Sequence, residues 1–133
     1  MRRKPGQIAL TLIYALLALN AWAQVILALR GELSDPPILI GLQSFIGIAG
    51  AAAAWGIWTG AWWAAYAVVI HGVVTATMLV SLDPILGLGA DARSSLFIAA
   101  AAVLAWSFLF AWYINRLVRR YQSELTTRND AAP

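Results

Sequence analysis

The longest stretch of this sequence without Asp, Glu, Lys or Arg covers 47 residues, 36–82, which read PPILIGLQSFIGIAGAAAAWGIWTGAWWAAYAVVIHGVVTATMLVSL. As a single helix it would be about 70 Å long, more than twice the thickness of the hydrocarbon core of a bilayer. The stretch is therefore expected to cross the membrane twice, at about residues 37–58 and 61–82. Thr59-Gly60 is the predicted turn, because tryptophan collects at the membrane–water interface and four tryptophans flank it: Trp55, Trp58, Trp62 and Trp63.

Two further charge-free runs complete the predicted fold. Residues 6–29 and 94–115 contain no Asp, Glu, Lys or Arg, which predicts spans at about 7–29 and 94–115. With 62% hydrophobic residues, 11% charged residues and a mean hydropathy of +0.75, the composition excludes a soluble domain. The sequence predicts an all-α membrane protein, a single domain over residues 1–133 with four transmembrane helices in two antiparallel hairpins.

The sequence also indicates where the helices begin. Ser34 or Asp35 can cap the second helix, with a proline in its first turn, and Asp91 can cap the fourth. Residues 83–90 are too apolar for a solvated loop and too short to span a bilayer. We therefore expect this segment to lie in the membrane interface.

Lysine and arginine are divided unevenly between the two sides of the predicted bundle. By the positive-inside rule, both the N and C termini are expected in the cytoplasm. The expected location of the protein is a bacterial inner membrane. A short basic C-terminal tail, residues 116–133, is expected to meet anionic lipid through Arg116, Arg119 and Arg120. Two basic residues, Arg30 and Arg93, lie on the side away from the termini. Seven lie on the side of the termini: Arg2, Arg3, Lys4, Arg116, Arg119, Arg120 and Arg128.

Composition argues against several kinds of chemistry. The chain has no cysteine, one histidine and no carboxylate within its predicted spans, so it lacks the ligands for a thiolate zinc site, an iron–sulfur cluster or an all-protein metal cage. No nucleophile–base pair can be assembled, so an enzyme is not expected. The basic residues adjoin the spans, where lipid is a nearer partner than nucleic acid.

The second predicted span is rich in glycine and alanine. Gly47 and Ala51, like Gly50 and Ala54, have the small-xxx-small spacing that lets two helix backbones approach closely. These four residues are predicted to form a helix-packing face. That face serves either packing within one chain or association between identical chains.

Five polar side chains in the spans form a candidate site: Asn20, Gln24, Gln43, His71 and Thr75. With the predicted orientation, they are expected to converge in the outer half of the bundle. They would act either as interhelical hydrogen bonds or as a site for a polar solute. An unpaired imidazole near the bilayer centre costs several kcal/mol, so His71 is expected to hydrogen-bond a neighbouring helix, bind a ligand or meet water.

Aromatic residues gather toward the predicted cytoplasmic side, where interfacial anchoring accounts for them. They are Tyr14, Trp55, Trp58, Trp62, Trp63, Tyr66, Trp112 and Tyr113.

His71 also admits a pigment or a haem. The segment Ala67-Val-Val-Ile-His71 has a small residue four positions before the histidine and resembles the local pattern of bacterial light-harvesting polypeptides over five residues of 133. The resemblance implies a chlorophyll-type pigment with His71 as axial ligand. A bis-histidine haem would need a second copy of the chain, which has one histidine.

In size and number of spans the chain is similar to the small multidrug transporters, which rely on a carboxylate in the first span. No carboxylate occurs in the first span here, so carboxylate-driven antiport is not expected. The sequence favours a non-enzymatic structural or accessory subunit without a cofactor, packed against other membrane subunits or against itself. The alternatives are a small oligomeric transporter or channel, and a pigment- or haem-binding subunit.

Overall fold

The computed structural model describes residues 5–130, without the side chains of residues 121, 122 and 124–130. Within this range the chain is all α-helical and has no strand. All its helices are long and apolar enough to cross a membrane, which confirms the predicted all-helical membrane class. The predicted basic group at Arg2, Arg3 and Lys4 and the end of the basic tail, residues 131–133, lie outside the described residues. The helices are α1 (Pro5–Leu29), α2 (Pro37–Thr59), α3 (Ala64–Leu86) and α4 (Ala90–Asp130).

The helix lengths match the thickness of a bilayer. α1 has 25 residues and α2 and α3 have 23 each, which corresponds to about 35–38 Å and is enough to cross a hydrocarbon core of about 30 Å. α4 has 41 residues and is therefore about 60 Å long. Its part that qualifies as a span is Ala90–Arg120, so the rest of α4 extends beyond the span.

The turn between α2 and α3 depends on Gly60. Its φ of 67° and ψ of 30° lie in the left-handed region that favours glycine. The Gly60 amide donates to the Ile57 carbonyl over 3.2 Å, and the Ala61 amide donates to the Gly56 carbonyl over 2.9 Å. α2 thus ends one residue beyond its predicted end, whereas α3 begins three residues late because residues 61–63 complete the turn.

The start of α2 does not use a side-chain cap. Pro36 occupies the N-cap position without a side-chain hydrogen bond, so the prediction that Ser34 or Asp35 caps this helix was wrong. The reason is that Pro37 stands at the first helical position, which places both polar side chains too early in the chain. The Pro36 carbonyl accepts the first bond of the helix, from the Leu39 amide over 2.9 Å.

The connection between α3 and α4 is shorter than predicted. α3 continues through Pro84, so that only residues 87–89 separate the two helices. Gly87 and Gly89 turn the chain with φ values of 64° and 90°. Much of the expected interfacial segment at residues 83–90 is therefore helical.

One ion pair joins the facing ends of these helices. Nε of Arg93 lies 2.6 Å from Oδ2 of Asp83, whose side chain is buried while that of Arg93 is mostly exposed. Because the turn ends at Gly89, α4 begins at Ala90 and Asp91 lies within its first turn. The prediction that Asp91 is the N-cap was therefore wrong.

Each helix packs against the next one in the chain, α1 on α2, α2 on α3 and α3 on α4. Large apolar side chains cover the outward faces, and Leu16, Leu19 and Ile98 are 65%, 66% and 71% exposed. These surfaces indicate contact with lipid. The main buried cluster draws on all four helices, and five of its eleven residues are alanine. It consists of Leu10, Tyr14, Ala53, Ala54, Ile57, Ala64, Ala67, Val68, Ala111, Ile114 and Val118.

Candidate functional site

His71 is a buried titratable side chain that lies between packed helices. It is 6% exposed and lies seven residues, or two helical turns, after the first residue of α3. Ala64, Ala67 and Val68 precede it at spacings that place all four on one face of the helix. His71 therefore continues the small-residue face with which α3 packs against its neighbours.

The imidazole of His71 contacts an aromatic ring on α1. Its centroid lies 5.2 Å from that of Tyr14, with the ring planes 83° apart, which is an edge-to-face arrangement. Tyr14 itself is only 3% exposed. The prediction of Tyr14 as an interfacial anchor was therefore wrong, because its ring is buried between helices and packs on His71. The spacing of Tyr14 with Ala18, Ala21 and Val25, which share its buried face, is the sequence signal that points inward.

Gly50 on α2 makes room for this contact. A Cβ atom at Gly50 would lie 3.2 Å from Cβ of Ala18 and 3.3 Å from Cδ2 of His71, both tighter than ordinary carbon contacts. The lack of a side chain at Gly50 therefore lets α1, α2 and α3 meet at one level. We call Tyr14, Ala18, Gly50 and His71 the His71 cluster.

One of the two nitrogens of the His71 ring lacks a hydrogen bond in the part of the chain that the structure describes. Nε2 is buried and has no partner among the described residues. The expectation of a hydrogen bond from His71 to a neighbouring helix is thus not met at this atom, and the ring packs instead against Tyr14. A buried nitrogen without a partner forfeits the hydrogen bonds it makes in water, a cost of about 1–3 kcal/mol.

The other polar residues predicted for the site are spread along the bundle. Thr75 donates to the carbonyl of His71 over 2.8 Å, a bond within its own helix. Gln43 has a buried Oε1 without a partner among the described residues. It lies seven residues before Gly50, so about 10 Å along α2 separate it from the level of His71.

Asn20 and Gln24 on α1 lie in different surroundings. Gln24 is half-buried, whereas Asn20 is exposed. A hydrogen bond from the Thr75 hydroxyl to the backbone carbonyl therefore links Thr75 to His71. Asn20 does not lie in the interior with the other predicted site residues.

The predicted helix-packing residues can be placed individually. A Cβ atom at Gly47 would lie 2.8 Å from Nε1 of Trp22, so the indole covers this glycine. Gly50 belongs to the His71 cluster and Ala54 to the main buried cluster. Ala51 is exposed and lies outside these contacts.

Two close contacts were not anticipated from the sequence. Gln7 on α1 donates from Nε2 to the carbonyl of Ile57 over 2.7 Å, which satisfies a carbonyl in the last turn of α2. The buried side chain of Ser107 on α4 packs directly on Gly72, next to His71. The small size of Gly72 is the signal that could have indicated a close approach there.

The His71 cluster does not fit a pigment or a haem within one chain. An axial ligand must present its nitrogen to a space that the macrocycle can occupy, but Nε2 of His71 is buried among packed helices. The Cδ2 side of the ring faces the close approach at Gly50. Among the described residues, no three His, Cys, Asp or Glu side chains come together as a metal site.

Searches with this chain find no matching protein family, curated protein or solved structure.

Proposed function

We propose that this chain is a non-enzymatic membrane subunit that packs through the outer face of α1 against another membrane-spanning chain. The observation that carries the proposal is the exposed amide of Asn20. Asn20 lies three residues from the midpoint of α1, about 4.5 Å along the helix and well within a hydrocarbon core of about 30 Å.

An exposed amide at this depth is unfavourable in lipid. Without a hydrogen-bonding partner, transfer of an amide from water into an apolar medium costs roughly 2–7 kcal/mol. Leu16 and Leu19 beside it are 65% and 66% exposed, so the amide stands in an otherwise apolar surface. A facing helix with a polar side chain would satisfy the amide while packing on the leucines. These observations support a protein helix, and not lipid, as the neighbour of the outer face of α1.

A crosslinking experiment tests this interface. The chain has no cysteine, so Leu16→Cys supplies a single attachment point for a benzophenone maleimide next to Asn20. Irradiation in native membranes is expected to give one defined adduct with a partner chain or a second copy. Adding Asn20→Leu should reduce the adduct severalfold, because the polar contact worth about 0.6–2 kcal/mol is lost.

Ile98→Cys on α4, 71% exposed, is the matched control and should give only a weak, diffuse adduct. The interface would be refuted if Asn20→Leu left the yield at Leu16→Cys unchanged, or if Ile98→Cys gave the same adduct. The mass of the adduct distinguishes a second copy from a different subunit.

A small oligomeric transporter or channel is the second candidate. It is supported by two buried side-chain atoms that lack a partner among the described residues, Oε1 of Gln43 and Nε2 of His71. Polar groups of this kind within spans often mark a solute or proton pathway. The two atoms lie on different levels of the bundle, so a solute would meet them one after the other.

We further propose that the chain crosses a bacterial inner membrane as two antiparallel hairpins with both termini in the cytoplasm. The contacts between α1 and α2 support the first hairpin, since Gln7 meets Ile57 whereas Trp22 meets Gly47. The Lys and Arg residues, seven on the side of the termini and two on the other, support the orientation.

Single cysteines also test the orientation. Leu88→Cys, in the turn between α3 and α4, should react with a membrane-impermeant maleimide in intact cells. Ala61→Cys, in the turn between α2 and α3, should react only after the cells are opened. The reverse pattern would refute the proposed orientation.

A further inference from the structure

An apolar groove opens between α1 and α4, the first and last helices of the bundle. Its volume is about 410 Å³, within the range of small-molecule pockets, and its lining is almost wholly apolar. From α1 it is lined by Gly6, Ala9 and Leu10, and from α4 chiefly by Leu109, Phe110 and Tyr113. The groove runs along the outside of the bundle, so a molecule can enter it from the side.

One end of the groove is narrow and polar. A Cβ atom at Gly6 would lie 2.5 Å from the hydroxyl oxygen of Tyr113, so α1 and α4 touch there. A helix with its side chains is about 10–12 Å wide, too wide to enter between helices already in contact. A single extended hydrocarbon chain is thin enough to lie in the groove.

Positive charge stands beside the same end. The guanidinium of Arg116 lies 5.6 Å from the ring centroid of Trp112, which also lines the groove, and this contact holds the charge at its rim. Arg119 and Arg120 follow on the next turn of α4 and are exposed. The nearest acidic residues along α4 are Asp91 and Glu124, so no carboxylate of this helix lies within two helical turns of Arg116.

We propose that this groove binds one anionic phospholipid. One acyl chain lies between Ala9 and Leu109, and the phosphate takes hydrogen bonds from Arg116 and the Tyr113 hydroxyl. The apolar groove fits an acyl chain, and the Tyr113 hydroxyl and the cationic side chains at one end of the groove fit an anionic headgroup. The inference follows because the two features adjoin. It is independent of the proposed interface on the outer face of α1.

Lipid retention by the purified full chain tests this proposal. Native mass spectrometry in a mild detergent is expected to show one retained phosphatidylglycerol per chain, and much weaker retention of phosphatidylcholine with the same acyl chains. Arg116→Gln should lower the retention of phosphatidylglycerol about fivefold. Ala9→Leu, which fills the exposed groove without entering the buried cluster, should lower retention of both lipids.

Two control variants separate a defined site from general surface charge. Arg120→Gln removes the same charge one turn farther from the groove, and Ala101→Leu enlarges an exposed alanine elsewhere on α4. Arg120→Gln should lower the retention of phosphatidylglycerol less than Arg116→Gln does, because its charge lies farther from the phosphate. Ala101→Leu should retain phosphatidylglycerol as well as the wild type. Equal losses with Arg116→Gln and Arg120→Gln, unchanged retention with Ala9→Leu, or a groove occupied by a second copy would each overturn the proposal.

Discussion

Gly50→Leu is expected to lower the free energy of unfolding by about 3 kcal/mol. A Cβ atom alone at Gly50 would lie 3.2 Å from Cβ of Ala18 and 3.3 Å from Cδ2 of His71. Leucine adds three more carbon atoms where three helices already meet. To make room for the side chain, α1 or α3 must move away from α2, and the packing contacts between α2 and the helix that moves are lost. The loss should appear as a lower melting temperature by circular dichroism in detergent.

Gly41→Leu is the matched control on the same helix. A Cβ atom at Gly41 would have nothing within 4 Å, so the new side chain meets open space. Because glycine is a poor helix former, this variant should be as stable as the wild type or slightly more stable. Equal melting temperatures for Gly50→Leu and Gly41→Leu would refute the close approach at the His71 cluster.

His71→Gln should destabilise the bundle by about 2 kcal/mol, whereas His71→Leu should be nearly neutral. Glutamine buries an amide with two N–H donors, and neither Ala18 nor Gly50 offers a side-chain partner. It also loses the edge-to-face contact with Tyr14, an arrangement worth about 0.5–1.5 kcal/mol beyond burial. Leucine loses the same aromatic contact but removes the buried nitrogen that has no partner.

Thermal unfolding of both variants in one detergent measures this order of stability. If His71→Leu lost as much stability as His71→Gln, the imidazole would have to make a stabilising polar contact, contrary to the unpaired Nε2. Proton flux into liposomes, followed with a pH-sensitive dye, separates the functional alternatives. Wild-type flux that disappears in His71→Leu, with unchanged melting, would favour the transporter over the subunit.

The sequence predicted the existence of all four helices because their length and apolar composition leave few other folds in a bilayer. It located the end of α2 well, since Gly60 supplies a left-handed conformation that stops the helix. It placed the start of α4 too late. The prediction placed the span at residues 94–115 with Asp91 as the N-cap of the helix, but α4 begins at Ala90, because a charged residue limits the hydrocarbon-embedded part and not the helix itself.

The candidate site was harder to predict because the spans are apolar around most of their circumference. No polar face indicates which side of α1 meets α2, so the spacing of Tyr14 with Ala18, Ala21 and Val25 was the one sequence signal for the buried face, and it is weak on a helix that is apolar almost all round. His71 was recognised as an unusual intramembrane residue from its chemistry alone. Its packing against Gly50 depends on how three helices are rotated, which the tertiary contacts determine.

The packing of each helix on the next also bears on how the protein is made. The strong contacts join neighbours in the chain, α1 with α2, α2 with α3 and α3 with α4, so few long loops must close before contacts form. During synthesis, α2 can find its partner as soon as it emerges, and each later helix meets one already in place. The groove between α1 and α4 then lies between the earliest and the latest synthesised of these four helices.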